Sequence, residues 1–464
     1  SIYLVDWIYN RPRPQDDTFP EFLSEYLNID LYQTSVDPYN LVATGGNFMS
    51  DGFGTAFSSN LIIDENDGSG PYNSVNYPNH SEQDIDNIMT DFMGIETYIK
   101  MPVLPYDAIH HIDMHMKLLD EETLLVSEYP EGVSDGPQIE ENLQYILDNF
   151  TTKYGTPFKV IRIPSPPSTS GAYPGEQPFN PVDGYYRTYT NSVFVNKTVI
   201  LPFYREEYDT IAQRIYEEAL PGYNIVGIDC DTYPNNIISN SGAIHCITHS
   251  VGVNDPLLIS YKKIEDTCPA LYPTISFESF IKHRSGIEEA FFYYRPDGID
   301  SFIPIEMQDQ GNDIWSVDLE LNYDIEKVEY YVYAMANTGK EQYRPMTALD
   351  GGANTFIYNL DECDGTECVP QEDLFCAYDD YWDPVCGCDD VTYSNYGVAA
   401  CNNIFFWIEG SCETSINLTD YPNFSERKLI VATDLMGREI QNFKDHEIII
   451  LIFDDGTIQK LIIN

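Results

Sequence analysis

Short apolar runs alternate with polar turns through the first 284 residues, and the alternation changes period in a recurring order. A strand is predicted at residues 2–5. A first unit enters from Gly45-Gly46-Asn47, predicts strands at 55–58 and Leu61–Asp64, and then a helix over Glu82–Met93. A second predicts strands at 113–119 and 123–127 around the turn Asp120-Glu121-Glu122, then a helix over 138–154 carrying Ile139, Leu143, Ile146 and Leu147 at helical spacing. A third predicts strands at 192–195 and 198–201 around Asn196-Lys197, then a helix over 206–220, and a fourth begins at Gly242. Entries recur roughly every 55–80 residues, the mark of β/α modules set around a centre where loop-end residues converge.

Beyond residue 284 the helical period disappears. Strands are predicted at 290–294, 302–307, 315–319 and 328–333, with a turn at Asp309-Gln310-Gly311-Asn312, which reads as an all-β sandwich over 285–362. Residues 363–412 hold seven of the ten cysteines (Cys363, Cys368, Cys376, Cys386, Cys388, Cys401, Cys412). Residues 413–464 form a small β unit whose Asp454-Asp455-Gly456 sits between two apolar runs, a hairpin signal.

Composition sharpens this. Against 75 Asp and Glu stand 24 Lys and Arg, a formal net charge of -51. Such a surface repels nucleic acid and anionic lipid and favours cationic ligands. No apolar run is long enough to span a bilayer, so no membrane insertion is expected. Dense cysteine in a short segment without His, and without paired CxxC spacing, reads as disulfides and an oxidising, extracytoplasmic compartment rather than as zinc. Cys230 and Cys268 are a further candidate pair. The sequence opens inside an apolar strand with no initiator Met and no signal peptide, and an upstream segment is expected.

Candidate chemistry lies in separate segments. Cys246 follows a small, flexible approach, and His111 and Asp113 form a polar cluster on an apolar background. A thiol, an imidazole and a carboxylate brought together supply a nucleophile, an acid/base and a cation anchor. His111, Asp113 and His115 would alternate on one strand face, a spacing that also suits a metal, but no further ligand cluster accompanies it; neither metal nor cofactor is expected. Arg11 and Arg13, two residues apart on an extended segment, could clamp a carboxylate. Asn191 opens the third hairpin, where its amide is available for a substrate contact or a turn cap.

Taken in order, Tyr9-Asn10-Arg11-Pro12-Arg13-Pro14, Gly45-Gly46-Asn47 with Asp51-Gly52, His111-Ile112-Asp113, Tyr189-Thr190-Asn191 and Ser241-Gly242-Ala243-Ile244-His245-Cys246 resemble the bacterial (Porphyromonas-type) peptidylarginine deiminase and agmatine deiminase family. The resemblance covers most of residues 1–284. It implies an α/β propeller of five ββαβ modules, truncated here at its N-terminal end, since a substrate-binding Asp in a Trp-x-Arg-Asp-x-Gly-Pro motif would precede the opening strand. It implies that Cys246 attacks a guanidinium carbon, that His111 is the acid/base, that Asp113 grips the guanidinium and that Asn191 contacts substrate. Arg11 and Arg13 would receive the C-terminal carboxylate of a peptidyl-arginine, which agmatine lacks. The resemblance further implies an immunoglobulin-like sandwich over 285–362. Residues 363–412 resemble a Kazal-type segment, a candidate contact for a protease, and 413–464 resemble the C-terminal sorting domain of type IX secretion, which implies a secreted or cell-surface protein. The expected partner is an arginine-containing peptide or protein. The rivals are agmatine deimination, a non-catalytic binding or protease-inhibitor protein on the same scaffold and, last, a metallohydrolase.

Overall fold

A computed structural model describes residues 2–10, 14–69, 78–168, 170–175, 186–232, 236–240, 242–252, 255–267, 274–321 and 325–358, and beyond these only short strands. The chain divides into two units, 1–362 and 363–464.

Unit one begins with β1 (Tyr3–Asp6) and β2 (Asp30–Gln33), parallel and joined through α1 (Pro14–Asp17) and α2 (Phe19–Leu27). Three sheets of one design follow. In the first, β3 (Met49–Ser50) is antiparallel to β4 (Thr55–Ser59), which passes through α3 (Leu61–Asp64) and α4 (Glu82–Met93) to a parallel β5 (Thr97–Met101). The second has β6 (Met116–Leu118), β7 (Thr123–Glu128), α5 (Gly136–Asn149) and β8 (Lys159–Pro164). The third has β9 (Val193–Val195), β10 (Thr198–Phe203), α6 (Glu206–Ala219) and β11 (Asn224–Asp229). The ββαβ rhythm is therefore present three times among the described residues.

Local chemistry explains the boundaries. Ser81 caps α4 in a reciprocal box with Asp84, and Gly94 ends it in the left-handed region at φ 69°. Its Ile85, Ile88 and Met89 face the core. The strand expected at Leu61–Asp64 is instead a helical turn. Asp51 accepts the N–H groups of Phe53 and Thr55 at 2.7 and 3.0 Å, so the hairpin turns before residue 55 and pairs 49–50 with 56–57. The helix expected to reach 154 stops at Asn149, where Phe150 turns extended and Thr152 begins a tight turn with Gly155 at φ 75°.

A two-sheet sandwich completes unit one. One sheet runs β12 (Leu258–Ser260), β13 (Thr274–Lys282), β17 (Ile314–Glu320), β16 (Gln308–Gly311). The other runs β15 (Ile303–Glu306), β14 (Ile287–Pro296), β18 (Lys327–Ala336), β19 (Glu341–Arg344), with β20 (Asn354–Ile357) also on β18. Phe277, Phe292, Tyr330 and Phe356 centre a core that begins at Leu257. The expected boundary at 284 thus cuts this sandwich. β13 pairs with β17 over Thr274 to Phe280, and Ile281 is fully buried in the same core. The fourth unit, expected from Gly242, accordingly sends Leu258–Ser260 into the sandwich.

In unit two, β21 (Val385–Gly387) lies between β22 (Thr392–Tyr393) and β23 (Trp407–Glu409). Antiparallel β24 (Leu429–Thr433), β25 (Ile448–Phe453) and β26 (Ile458–Ile462) form a second sheet. The pairing of the seven cysteines lies outside the described residues.

Candidate active site

Three segments meet at one point of unit one. The first is the 310 turn Gly45–Asn47, the second the 310 turn Ile112–Met114, and the third the 310 turn His245–Ile247.

Asn47 ties the first two together. Its Oδ1 accepts the N–H groups of Ser59 at 2.9 Å and Ile112 at 3.2 Å. This bond and the positive φ of His110 (60°) bend the chain at His111, so residues 111–115 do not run as the expected strand. His115 is accordingly not a partner of His111 and Asp113 on a shared strand face. It is fully buried, and burial holds its imidazole down to about 4, hence neutral. Among the described residues no group of three or more His, Cys, Asp and Glu side chains converges as a metal site.

Gly46 packs directly on the polar cluster. A Cβ there would lie 2.6 Å from Nδ1 of His111 and 3.0 Å from Oδ2 of Asp113. Only glycine lets this backbone approach so closely. His111 is buried, with Nε2 3.3 Å from Oγ1 of Thr44. Asp113 is 6% exposed. Its carbonyl accepts the Thr190 hydroxyl at 2.9 Å, and its Oδ2 lies 2.6 Å from Nδ1 of His245 and 3.8 Å from Sγ of Cys246. The other oxygen, Oδ1, is buried without a hydrogen-bond partner.

Asn191 holds the third segment. Its side-chain oxygen accepts the N–H of Ala243 at 3.0 Å, of His245 at 3.1 Å and of Cys246 at 3.4 Å, while Nδ2 donates to Cys246 Sγ at 3.3 Å. The residue is wholly buried. In this structure the amide shapes the cysteine loop through these bonds. Gly242 is needed there too, since a Cβ would come within 2.8 Å of Sγ.

Cys246 is a free, half-buried thiol. Burial pushes it up to about 12, and the charge of Asp113 adds to that. A buried thiol facing a carboxylate is held in its protonated form. Cys230, a candidate disulfide partner, is a free thiol donating to the carbonyl of Ile228. A second carboxyl stands behind the site: Asp107 is 1% exposed, and burial, helped by Asp135 and Asp113, pushes it up to about 7.

Of the residues expected from the sequence, Cys246, Asp113, His111 and Asn191 belong to these converging segments. Arg11 and Arg13 lie outside the described residues. Sequence reasoning missed His245 as the partner of Asp113, although it adjoins the nucleophile, and it missed Gly46 and Asn47 as the floor of the site. Their signal was the Gly-Gly-Asn run itself, a tight turn with no phosphate-loop lysine.

The sequence model of the family described as Porphyromonas-type peptidyl-arginine deiminase matches residues 3–251. Among curated relatives, a protein provisionally named agmatine deiminase from Mycoplasma capricolum is 24% identical over 267 residues, 53% of this chain and 68% of its own. Another so named, from Legionella pneumophila, is 26% identical over 250 residues, 53% and 66%. The chain thus spans about two thirds of the length of these relatives. Among solved structures, the agmatine deiminase of Enterococcus faecalis aligns with a TM-score of 0.42 and 22% identity over 52% of this chain and 68% of that one. A structure provisionally named peptidyl-arginine deiminase aligns with a TM-score of 0.44 and 20% identity over 54% and 71%.

Proposed function

Because the chain belongs to the Porphyromonas-type peptidyl-arginine deiminase family, we propose that it is a protein-arginine deiminase, hydrolysing the guanidinium of C-terminal peptidyl-arginine to citrulline and ammonia. The observation that carries this reading is the approach of Cys246 Sγ to Oδ2 of Asp113, with His111 on the same bend as Asp113.

The steps follow from the groups present. A guanidinium held on Asp113 brings its carbon beside Sγ and its charge beside a thiol that burial keeps protonated. That charge offsets the carboxylate and favours the thiolate, whose proton passes to His111. Sulfur adds to the guanidinium carbon, and the C–N bond breaks with a proton delivered by His111 as ammonia leaves. His111 then takes a proton from water, whose oxygen adds to the thiouronium carbon. The C–S bond breaks, the thiol regains its proton and citrulline is released. Asn191 serves by fixing the loop that aims the sulfur. The reading calls for no metal or cofactor. Arg11 and Arg13 would receive the substrate's terminal carboxylate.

The wider assignments belong to the same proposal: a five-module propeller, an immunoglobulin-like sandwich, a Kazal-like segment able to touch a protease, a type IX sorting domain and a secreted or cell-surface location. Agmatine is the second reading, favoured by the names of the curated relatives.

The test is release of citrulline and ammonia by the full-length gene product and its Cys246→Ala variant, offered a peptide ending in arginine, the same peptide amidated, and agmatine. Turnover confined to the free carboxylate and lost in the variant is expected. Turnover of agmatine alone would replace the substrate and keep the chemistry, whereas no turnover of any would favour the binding-protein reading.

A further inference from the structure

Asp113 has two oxygens in unlike settings. Oδ2 is taken by His245 at 2.6 Å and lies 3.8 Å from the sulfur. Oδ1 is buried with no hydrogen-bond partner. Gly46 lies beside both, and the Cβ it lacks leaves space there: that position is 3.0 Å from Oδ2 and 3.3 Å from Oδ1. The His245 side chain is 28% exposed, and its backbone N–H is held by Asn191, so its ring comes to Asp113 from a fixed base.

We propose that His245 is the positioning residue of the site: its Nδ1–H locks Oδ2 of Asp113, leaves Oδ1 as the oxygen offered to the guanidinium, and screens the adjacent Cys246 sulfur from the carboxylate's charge. This rests on the deiminase reading for the word guanidinium and on geometry alone for the rest. A carboxylate gripped at one oxygen presents the other in a single direction, which aligns the guanidinium carbon with Sγ. The same N–H draws electron density from the oxygen nearest the sulfur. Without it, the full carboxylate charge would oppose thiolate formation. His245 acts through Asp113 and need not touch substrate.

Asparagine places its side-chain N–H at the same bond count from the backbone as Nδ1 of histidine, so it can replace the donor without the ring; alanine cannot. The experiment compares wild type, His245→Asn and His245→Ala. It measures kcat and KM for the arginine peptide and, separately, the alkylation rate of Cys246 by iodoacetamide at one fixed pH, read by peptide mapping because the chain holds other cysteines. The alanine variant is expected to lose at least ~10-fold in kcat and to alkylate several-fold more slowly, with the asparagine variant restored to within about 3-fold on both. Unchanged kcat and alkylation in the alanine variant would overturn the proposal, as would an asparagine variant that unfolds at the wild-type temperature yet stays as slow as alanine. If the alanine variant does not fold, asparagine against wild type decides. If the wild type itself releases no citrulline, the deiminase reading fails, and the alkylation rates alone then decide whether His245 governs the sulfur.

Discussion

Asp107 shows how a single buried carboxyl writes a pH dependence into this protein. Its Oδ1 accepts the N–H of Ile109, and its Oδ2 has no hydrogen-bond partner. Burial pushes its ionisation up to about 7. The folded state therefore binds this proton more tightly than the unfolded chain does. The associated stability is fully present below the unfolded value near 4 and is lost as pH rises through about 7, on the order of 4 kcal/mol in all. Asp107→Asn removes the charge and keeps an acceptor for Ile109. Urea unfolding across this window should show the variant more stable than wild type above about pH 7, with the two converging near pH 4. Parallel stability profiles would mean that Asp107 does not titrate in this range.

At the scale of elements, the turn between β6 and β7 does more than reverse the chain. All three of its acids are engaged from the sandwich. Lys263 Nζ pairs with Asp120, the Lys263 backbone N–H reaches Glu122 at 3.1 Å, and Arg344 pairs with Glu121. Lys153 adds a contact to Ser260 at 3.0 Å. β6 starts two residues after the bend that bears Asp113, so the sandwich steadies the strand beneath the site. The Glu121–Arg344 pair is part-exposed, so solvent screens it. A double-mutant cycle with Glu121→Ala and Arg344→Ala should return a coupling of roughly 1 kcal/mol. Additive single effects would show that the turn is held without this pair.

At the scale of the whole molecule, the net charge of -51 acts on association rather than on chemistry. A cationic peptide is drawn toward such a surface, and salt screens the attraction. The kcat/KM for an arginine peptide should fall several-fold, up to about 10-fold, from low to physiological ionic strength, with kcat nearly constant. A kcat/KM indifferent to salt would assign the acidity to solubility alone.

The modular rhythm, the existence of α4, α5 and α6, the apolar face of α5 and four of the sandwich strands (β14, β15, β17 and β18) were legible in the sequence because each is a local periodicity. Capping residues and apolar spacing act within a turn or two of where they stand. Cys246, His111 and Asp113 were legible for another reason: their residue types carry chemistry wherever they are placed. What only the tertiary structure decided depends on groups distant in sequence. Asn47 bends the His111 segment through Ile112, 65 residues away, and turns an apparent strand into a 310 turn. Asn191 reads as a free loop-end amide until the cysteine loop, 55 residues on, takes up its oxygen and nitrogen. The partnership of His245 with Asp113 spans 132 residues, and the sandwich recruits β13 from before the expected boundary through pairing with β17. Periodicity places a residue on its own element. Which buried polar group it satisfies is settled only when the elements pack, because an unpaired group costs most where water is gone.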